Sequence, residues 1–326
     1  MGSSWTVAVT RQIPDAGLQP LRESTTVKLW DQELPPSADE LDALLEGCDG
    51  AVTLLTDHID GSVLDRHPRL RVISNFAVGY DNIDVPAASE RGVLICNTPD
   101  VLTNATADHT WALLLAAARR IPESMAYVRE GKWQTWGPRL LLGREVSEAT
   151  IGIVGLGRIG KEVAKRARGF DMRVLAFDPF EDSNFAREHQ VTYVSLAQLL
   201  AESDFVTLHV TLTPETQHLI AAAELDRMKR TAILVNASRG PVVDTDALVD
   251  ALRSGSIFSA ALDVTDPEPL RADHPLVNMT NCIVVPHTAS ATVQTRDRMA
   301  ALAAENLLSG LRGERPPAAV NADEVQ

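Results

Sequence analysis

The stretch from Ala149 to Pro179 constrains this chain more than any other. A short apolar run, Ile151 to Val154, leads at once into Gly155-Leu156-Gly157-Arg158-Ile159-Gly160 and then into a helix-like segment, Lys161 to Arg168. A second apolar run, Met172 to Phe177, ends on Asp178, with seventeen residues (161 to 177) between Gly160 and that acid. Apolar runs of this length read as buried parallel strands. Gly155 permits the tight strand-to-helix turn, Gly157 lets the backbone approach a pyrophosphate, and Gly160 lets helix and strand pack closely. The helix N-terminus adds free N–H groups and about half a positive charge, which suits phosphate. Asp178, at the tip of the second strand, is placed to accept from both adenosine ribose hydroxyls. Methyltransferases and ordinary turns share such glycines. Strand, glycines, helix, strand and acid in this order point instead to a dinucleotide, with a structural turn or another nucleotide-like ligand as the alternative.

Asp178 also speaks to which nicotinamide cofactor is used. It is followed by Pro179, Phe180, Glu181 and Asp182, with no basic residue before Arg187. A ribose 2′-phosphate beside that carboxylate would meet like charge. At a separation of about 4 Å and an effective dielectric near 20, this costs roughly 4 kcal/mol. The expectation is NAD(H) over NADP(H).

The chain of 326 residues suggests two domains of ordinary size. A net charge of −14 argues against nucleic acid or an anionic membrane as partner, and a small anionic substrate then needs a local basic pocket. The longest apolar stretch, Trp111 to Ala118, is far too short to span a bilayer. Cys48, Cys96 and Cys282 are widely spaced and form no metal-ligand pattern, so they read as reduced thiols in a cytoplasmic protein without a metal site. Met1 to Thr6 fits a loose myristoylation pattern, and the plainer reading is a disordered start to a strand beginning near Trp5.

The remaining pattern alternates strands and helices, which implies parallel sheets with their active face at the strands' C-terminal ends. Strands are expected at 6–9, 26–29, 51–55, 71–74 and 93–96, with a capped helix from Ser37. Loops Leu54–Asp57 and Asn75–Asn82 follow two of them; a glycine there exposes backbone N–H groups able to bind a carboxylate, and an ordinary turn is the equal alternative. A long apolar helix from Asn104 to Arg120 follows, then an irregular segment, 121–148, whose Trp133 and Trp136 suggest an arm packing on a partner subunit. After the fingerprint, strands are expected at 205–209, 232–236, 259–263 and 283–285, with helices at 196–201, 221–228 and 245–253, the last closed by Gly255. The last helix, about 291–311, is long enough to pack back on the first domain. The fold class is therefore α/β, with two Rossmann-like doubly wound parallel sheets. The discontinuous substrate-binding domain would comprise residues 1–100 and 290–326, and the NAD-binding domain residues 101–289. From Pro316 the tail reads as extended or disordered.

Three polar signals follow successive strands of the second domain: Asn236-Ala237-Ser238-Arg239-Gly240, Asp263 to Glu268, and Pro286-His287-Thr288. A carbonyl reductase needs a cation to orient a substrate carboxylate, which the guanidinium fork does well. It also needs a proton donor near neutral pH, for which histidine is the natural residue, oriented by a carboxylate. Arg239, His287 and Glu268 fit these roles. The other seven histidines read as surface or core, with His209, at a strand end near the cofactor, the nearest competitor.

On these residues the chain resembles the D-isomer-specific 2-hydroxyacid dehydrogenases, most nearly glyoxylate/hydroxypyruvate reductases. The resemblance rests on 78–84 (VGYDNID), 97–108 (NTPDVLTNATAD), 152–160 (GIVGLGRIG), 236–244 (NASRGPVVD), 260–270 (AALDVTDPEPL) and 286–292 (PHTASAT). It implies a catalytic triad of Arg239, Glu268 and His287, and carboxylate binding by the N–H groups of Val78 and Gly79, with Leu55 alongside. It implies that Asp263 holds the nicotinamide carboxamide and that Thr106, Arg158 and Ile159 line the phosphate path. Gly155, Gly157, Gly160, Asp178, His209, Ala237, Ser238, Arg239, Asp263 and His287 complete the cofactor contacts. A homodimer through the coenzyme domain is likewise implied. Thr288 and Ala289 stand where the family usually has Ile and Gly, and Leu140 where many hydroxypyruvate reductases carry Trp. A bulkier 2-keto acid is therefore an alternative substrate. A non-enzymatic NAD(H) sensor akin to corepressors, and an oxidoreductase of formate or phosphite, are rival readings.

Overall fold

The computed structural model describes residues 5–325, so the myristoylation pattern, which turns on Gly2, lies outside the described residues. The chain divides into two compact units, residues 1–102 with 291–326, and residues 103–290.

The first unit holds a parallel sheet of β1 (Thr6–Val9), β2 (Thr26–Leu29), β3 (Gly50–Thr53), β4 (Val72–Asn75) and β5 (Leu94–Cys96), in the order β2-β1-β3-β4-β5. Connections reverse direction between β1 and β3, so a crevice opens at their C-terminal ends. Ser37 caps the Ala38–Leu45 helix through a capping box with Glu40. The Val293–Leu311 helix lies over β3 and β4 and beside the Asp15–Ser24 helix. There Gly17 is required, because any Cβ would overlap the Ala300 backbone.

The tail, expected to be extended or disordered, is non-helical and ordered against β5. Val320 N–H donates to the Ile95 carbonyl at 2.7 Å, and Ala319 bridges Cys96 in antiparallel sense. The buried Asn321 side chain accepts from Ile95 N–H at 2.8 Å and donates to the Val93 carbonyl at 3.0 Å. The helix ends at Leu311, with Gly313 left-handed at φ +76° just beyond it, and the residues after Pro316 and Pro317 satisfy the open edge of β5.

The second unit holds β6 (Thr150–Val154), β7 (Arg173–Phe177), β8 (Val191–Tyr193), β9 (Phe205–Leu208), β10 (Ile233–Asn236), β11 (Ser259–Leu262) and β12 (Cys282–Val284), all parallel, in the order β12-β11-β10-β9-β6-β7-β8. Side chains alternate across it: Ile151, Ile153, Val174 and Phe205 face the helices Thr103–Ala118 and Arg158–Ala167, whereas Leu175, Val206 and Leu234 join the opposite core. Each such burial contributes about 1.5–3 kcal/mol. Both expected parallel α/β sheets are thus present. The fingerprint helix begins at Arg158 rather than Lys161, and β8 has no counterpart among the expected strands. The segment expected to be irregular opens with a helix, Ile121–Arg129, none of whose residues is buried. Ile121, Met125 and Val128, at i, i+4 and i+7, form an apolar stripe that stays exposed.

Candidate active site

In the second unit the turn between β6 and its helix abuts the end of β9. Gly155 has φ +92°, and a Cβ there would sit 2.7 Å from the His209 carbonyl carbon. The Arg158–Ala167 helix has no side-chain cap at Gly157, although Ser195 and Asp244 cap other helices of this unit. A Cβ built on Gly157 meets no atom within 4 Å. The uncapped N-terminus, with Arg158 and Ile159 in its first turn, therefore faces open space and fits a pyrophosphate.

Asp178 departs from the simplest expectation. Its Oδ2 accepts from Leu156 N–H at 2.7 Å and its Oδ1 from Phe180 N–H at 2.8 Å, so the carboxylate clamps the glycine turn and keeps only its remaining lone pairs for a ribose. Lys161, in the Arg158–Ala167 helix, pairs with Asp182 at 2.6 Å. Thr106 is buried, its carbonyl accepting from the Thr110 hydroxyl at 2.8 Å. His209 carries two ring nitrogens that are inaccessible and unpartnered among the described residues, and burial pushes its imidazole down to about 4.

At the ends of β10, β11 and β12 three loops are locked together. Buried Asn236 accepts from Ser238 N–H and hydroxyl at 3.0 and 2.8 Å and donates to the Arg239 carbonyl at 2.8 Å, which shapes the Ala237–Arg239 turn. A Cβ on Gly240 would overlap the Thr265 carbonyl, so the Arg239 and Glu268 loops touch backbone to backbone. Thr265 N–H donates to Glu268 Oε2 at 3.3 Å. Glu268 Oε1 lies 2.7 Å from His287 Nδ1. A carboxylate can only accept, so Nδ1 carries the proton and Nε2 is left for chemistry.

His287 sits in the left-handed region at φ +52°, where a non-glycine residue persists only if its surroundings over-determine it. They do so through Asp263, whose carbonyl accepts from His287 N–H at 2.9 Å and whose carboxylate accepts from Thr288 and Ala289 N–H at 2.7 and 3.0 Å. The Asp263 side chain is 1% exposed, so it meets a nicotinamide carboxamide only through lone pairs these bonds leave. Burial alone would push Asp263 up. The His109 imidazole beside it and hydrogen bonds from the two amides outweigh it and hold the carboxyl below its ordinary value. His109, expected to be a surface or core residue, places Nε2 3.1 Å from Asp263 Oδ1. More than 150 positions separate the two in sequence, and nothing local announces the pairing.

In the first unit, Val78 and Gly79 lie in the loop after β4. The Val78 carbonyl accepts from the Asn97 side chain at 2.8 Å and the Gly79 carbonyl from the Asn75 side chain at 2.9 Å. The N–H groups of Val78 and Gly79 have no acceptor among the described residues. Leu55 is partly exposed in the loop after β3. Asp57 in that loop is pushed up by burial and accepts from Leu54 N–H at 2.7 Å and from the Thr10 hydroxyl. Among the described residues no group of His, Cys, Asp and Glu is arranged to hold a metal, and no helix is long and apolar enough to cross a membrane.

Comparison with known proteins places this geometry in context. Residues 111–289 match the family described as D-isomer specific 2-hydroxyacid dehydrogenase, NAD binding domain. A glyoxylate reductase of Korarchaeum cryptofilum is 52% identical, with 98% of this chain and 97% of that protein covered. The crystal structure of the TT0316 protein from Thermus thermophilus is 47% identical and superposes with a TM-score of 0.91, covering 97% of this chain and 99% of that one. An NADPH-dependent glyoxylate/hydroxypyruvate reductase from Sinorhizobium meliloti, solved with NADP and malonate, is 29% identical with a TM-score of 0.85, covering 99% and 98% of the two chains.

Proposed function

The chain belongs to the D-isomer-specific 2-hydroxyacid dehydrogenases, and from that premise we propose that it reduces a small 2-keto acid of the glyoxylate/hydroxypyruvate type to the D-2-hydroxy acid. The observation that carries this reading is the Glu268–His287 pair, which leaves one imidazole nitrogen free on a loop at the C-terminal edge of a nucleotide-binding sheet. When bound, the dihydronicotinamide supplies the hydride that reaches the keto carbon. His287 as imidazolium gives its Nε2 proton to the keto oxygen, while Glu268 keeps Nδ1 protonated and the ring aimed. Arg239 takes the substrate carboxylate in its planar fork, and the N–H groups of Val78 and Gly79 offer it two further donors.

Gly155, Gly157, Arg158, Ile159 and Gly160 would receive the pyrophosphate, and Asp178 the adenosine ribose. The cofactor is NAD(H) rather than NADP(H): the negative charge of Asp178 and the commitment of Lys161 to Asp182 favour it. The exposed apolar side chains Ile121, Met125, Val128, Trp133 and Trp136 support a homodimer formed through the coenzyme domain. A monomer in sedimentation equilibrium would remove that part. Three buried free thiols, two of them pushed up to about 12 by burial, suit a reducing cytoplasm.

The deciding experiment is oxidation of NADH and, separately, NADPH against glyoxylate, hydroxypyruvate, pyruvate, phenylpyruvate and 2-ketogluconate. Turnover of glyoxylate or hydroxypyruvate with NADH is expected. His287→Ala should lower kcat about 100- to 10,000-fold with NADH affinity retained. NADPH used as efficiently as NADH would overturn the cofactor assignment, and unchanged turnover in His287→Ala the proton donor.

A further inference from the structure

The direction of the Val78 and Gly79 N–H groups is set from behind. A trans peptide unit carries its C=O and N–H on opposite edges of one plane, so whatever grips the carbonyl aims the N–H. Thr98 N–H grips the Ala77 carbonyl at 2.8 Å and thereby aims the Val78 N–H. The Asn97 side chain grips the Val78 carbonyl at 2.8 Å and aims the Gly79 N–H. Both grips come from consecutive residues of one segment, and that segment is itself clamped in a closed ring. Asn97 N–H donates to the Ala318 carbonyl at 3.1 Å. Ala318 N–H donates to Asn306 Oδ1 at 3.0 Å, and Asn306 Nδ2 to the Asn97 carbonyl at 2.9 Å. Asn306 is wholly buried on the Val293–Leu311 helix, where an unmade hydrogen bond is heavily penalised. Nothing in this ring needs a substrate in order to form.

We propose that Asn97 is a positioning residue for the substrate carboxylate, anchored by Asn306 and Ala318, so that the last helix and the tail preset the two backbone donors that receive the substrate. This rests on the reading of Val78 and Gly79 as carboxylate donors. Preset donors need no reorganisation when the anion arrives.

Asn97→Leu keeps the side-chain size and deletes the donor. With NADH saturating, it should raise both the KM for glyoxylate and the inhibition constant for oxalate about tenfold, while the NADH dissociation constant stays unchanged. Ala318→Pro deletes only the N–H that Asn306 accepts; it should move the same two constants in the same direction, by a smaller factor. It also carries the test if Asn97→Leu does not fold. Unchanged constants in a folded variant would overturn the proposal and leave the carboxylate reading standing. Weakened NADH binding with a lowered Tm and no selective change in KM would make Asn97 merely structural and overturn it too. A wild-type protein that reduces no 2-keto acid and is not inhibited by oxalate would remove the underlying reading, and the proposal with it.

Discussion

His209 has inaccessible, unpartnered ring nitrogens beside the glycine turn, which fixes its charge state before any ligand is considered. Its folded-state value of about 4 lies below the ordinary 6.5. Above 6.5 the ring is neutral in folded and unfolded chains alike, and it has no effect on stability. As pH falls from 6.5 towards 4, the unfolded chain takes up a proton that the folded one refuses, so stability is lost at up to about 1.4 kcal/mol per pH unit. His209→Leu should remove this penalty. Urea unfolding of both proteins at pH 7 and 4.5 should show wild type losing more stability than the variant over that interval; a constant gap would mean that the imidazole titrates freely.

The unit of catalysis in this fold is a loop rather than a residue, because neighbouring loops brace one another. The Arg239 and Glu268 loops meet where Gly240 faces Thr265, with no room for a methyl group. Gly240→Ala should therefore cost activity through both loops together, lowering kcat/KM by at least about tenfold. Full activity in that variant would show that the loops can part without consequence. What the sequence discloses follows the same division. Apolar runs, glycines and the polar residues that punctuate them are local signals, so the strands and the Gly155–Gly160 turn are readable, as is the grouping of Arg239, Glu268 and His287 at strand ends. The His109–Asp263 contact and the Asn97–Asn306–Ala318 ring join distant positions through ordinary side chains, and neither has a local signature. The Ile121–Arg129 helix does carry an apolar stripe, Ile121, Met125 and Val128 at i, i+4 and i+7, but over only nine residues, and the structure leaves that stripe exposed rather than in a core.

Over the whole molecule, residues 103–290 form an uninterrupted unit with a sheet covered on both faces by its own cores. Excised, this segment should fold and bind NADH, detectable by nucleotide fluorescence, and, on the proposed reading of Val78 and Gly79 as carboxylate donors, reduce no keto acid. An unfolded segment would show that the unit borrows stability from the rest of the chain.

The other unit is assembled from both sides of that insertion. On a ribosome adding roughly 5–20 residues per second, the roughly 190 residues between its two parts take about ten to forty seconds to make. Throughout that interval β3 and β4 lack the helix that covers them, and the edge of β5 lacks Ala319 and Val320. The sheet begun first is thus finished last, and a nascent chain halted between Ser290 and Val293 holds a complete second unit beside a first unit that still lacks its closing helix. The closing helix therefore makes burial of β3 and β4 the last event of this unit's synthesis: only a chain translated through Leu311 can cover them.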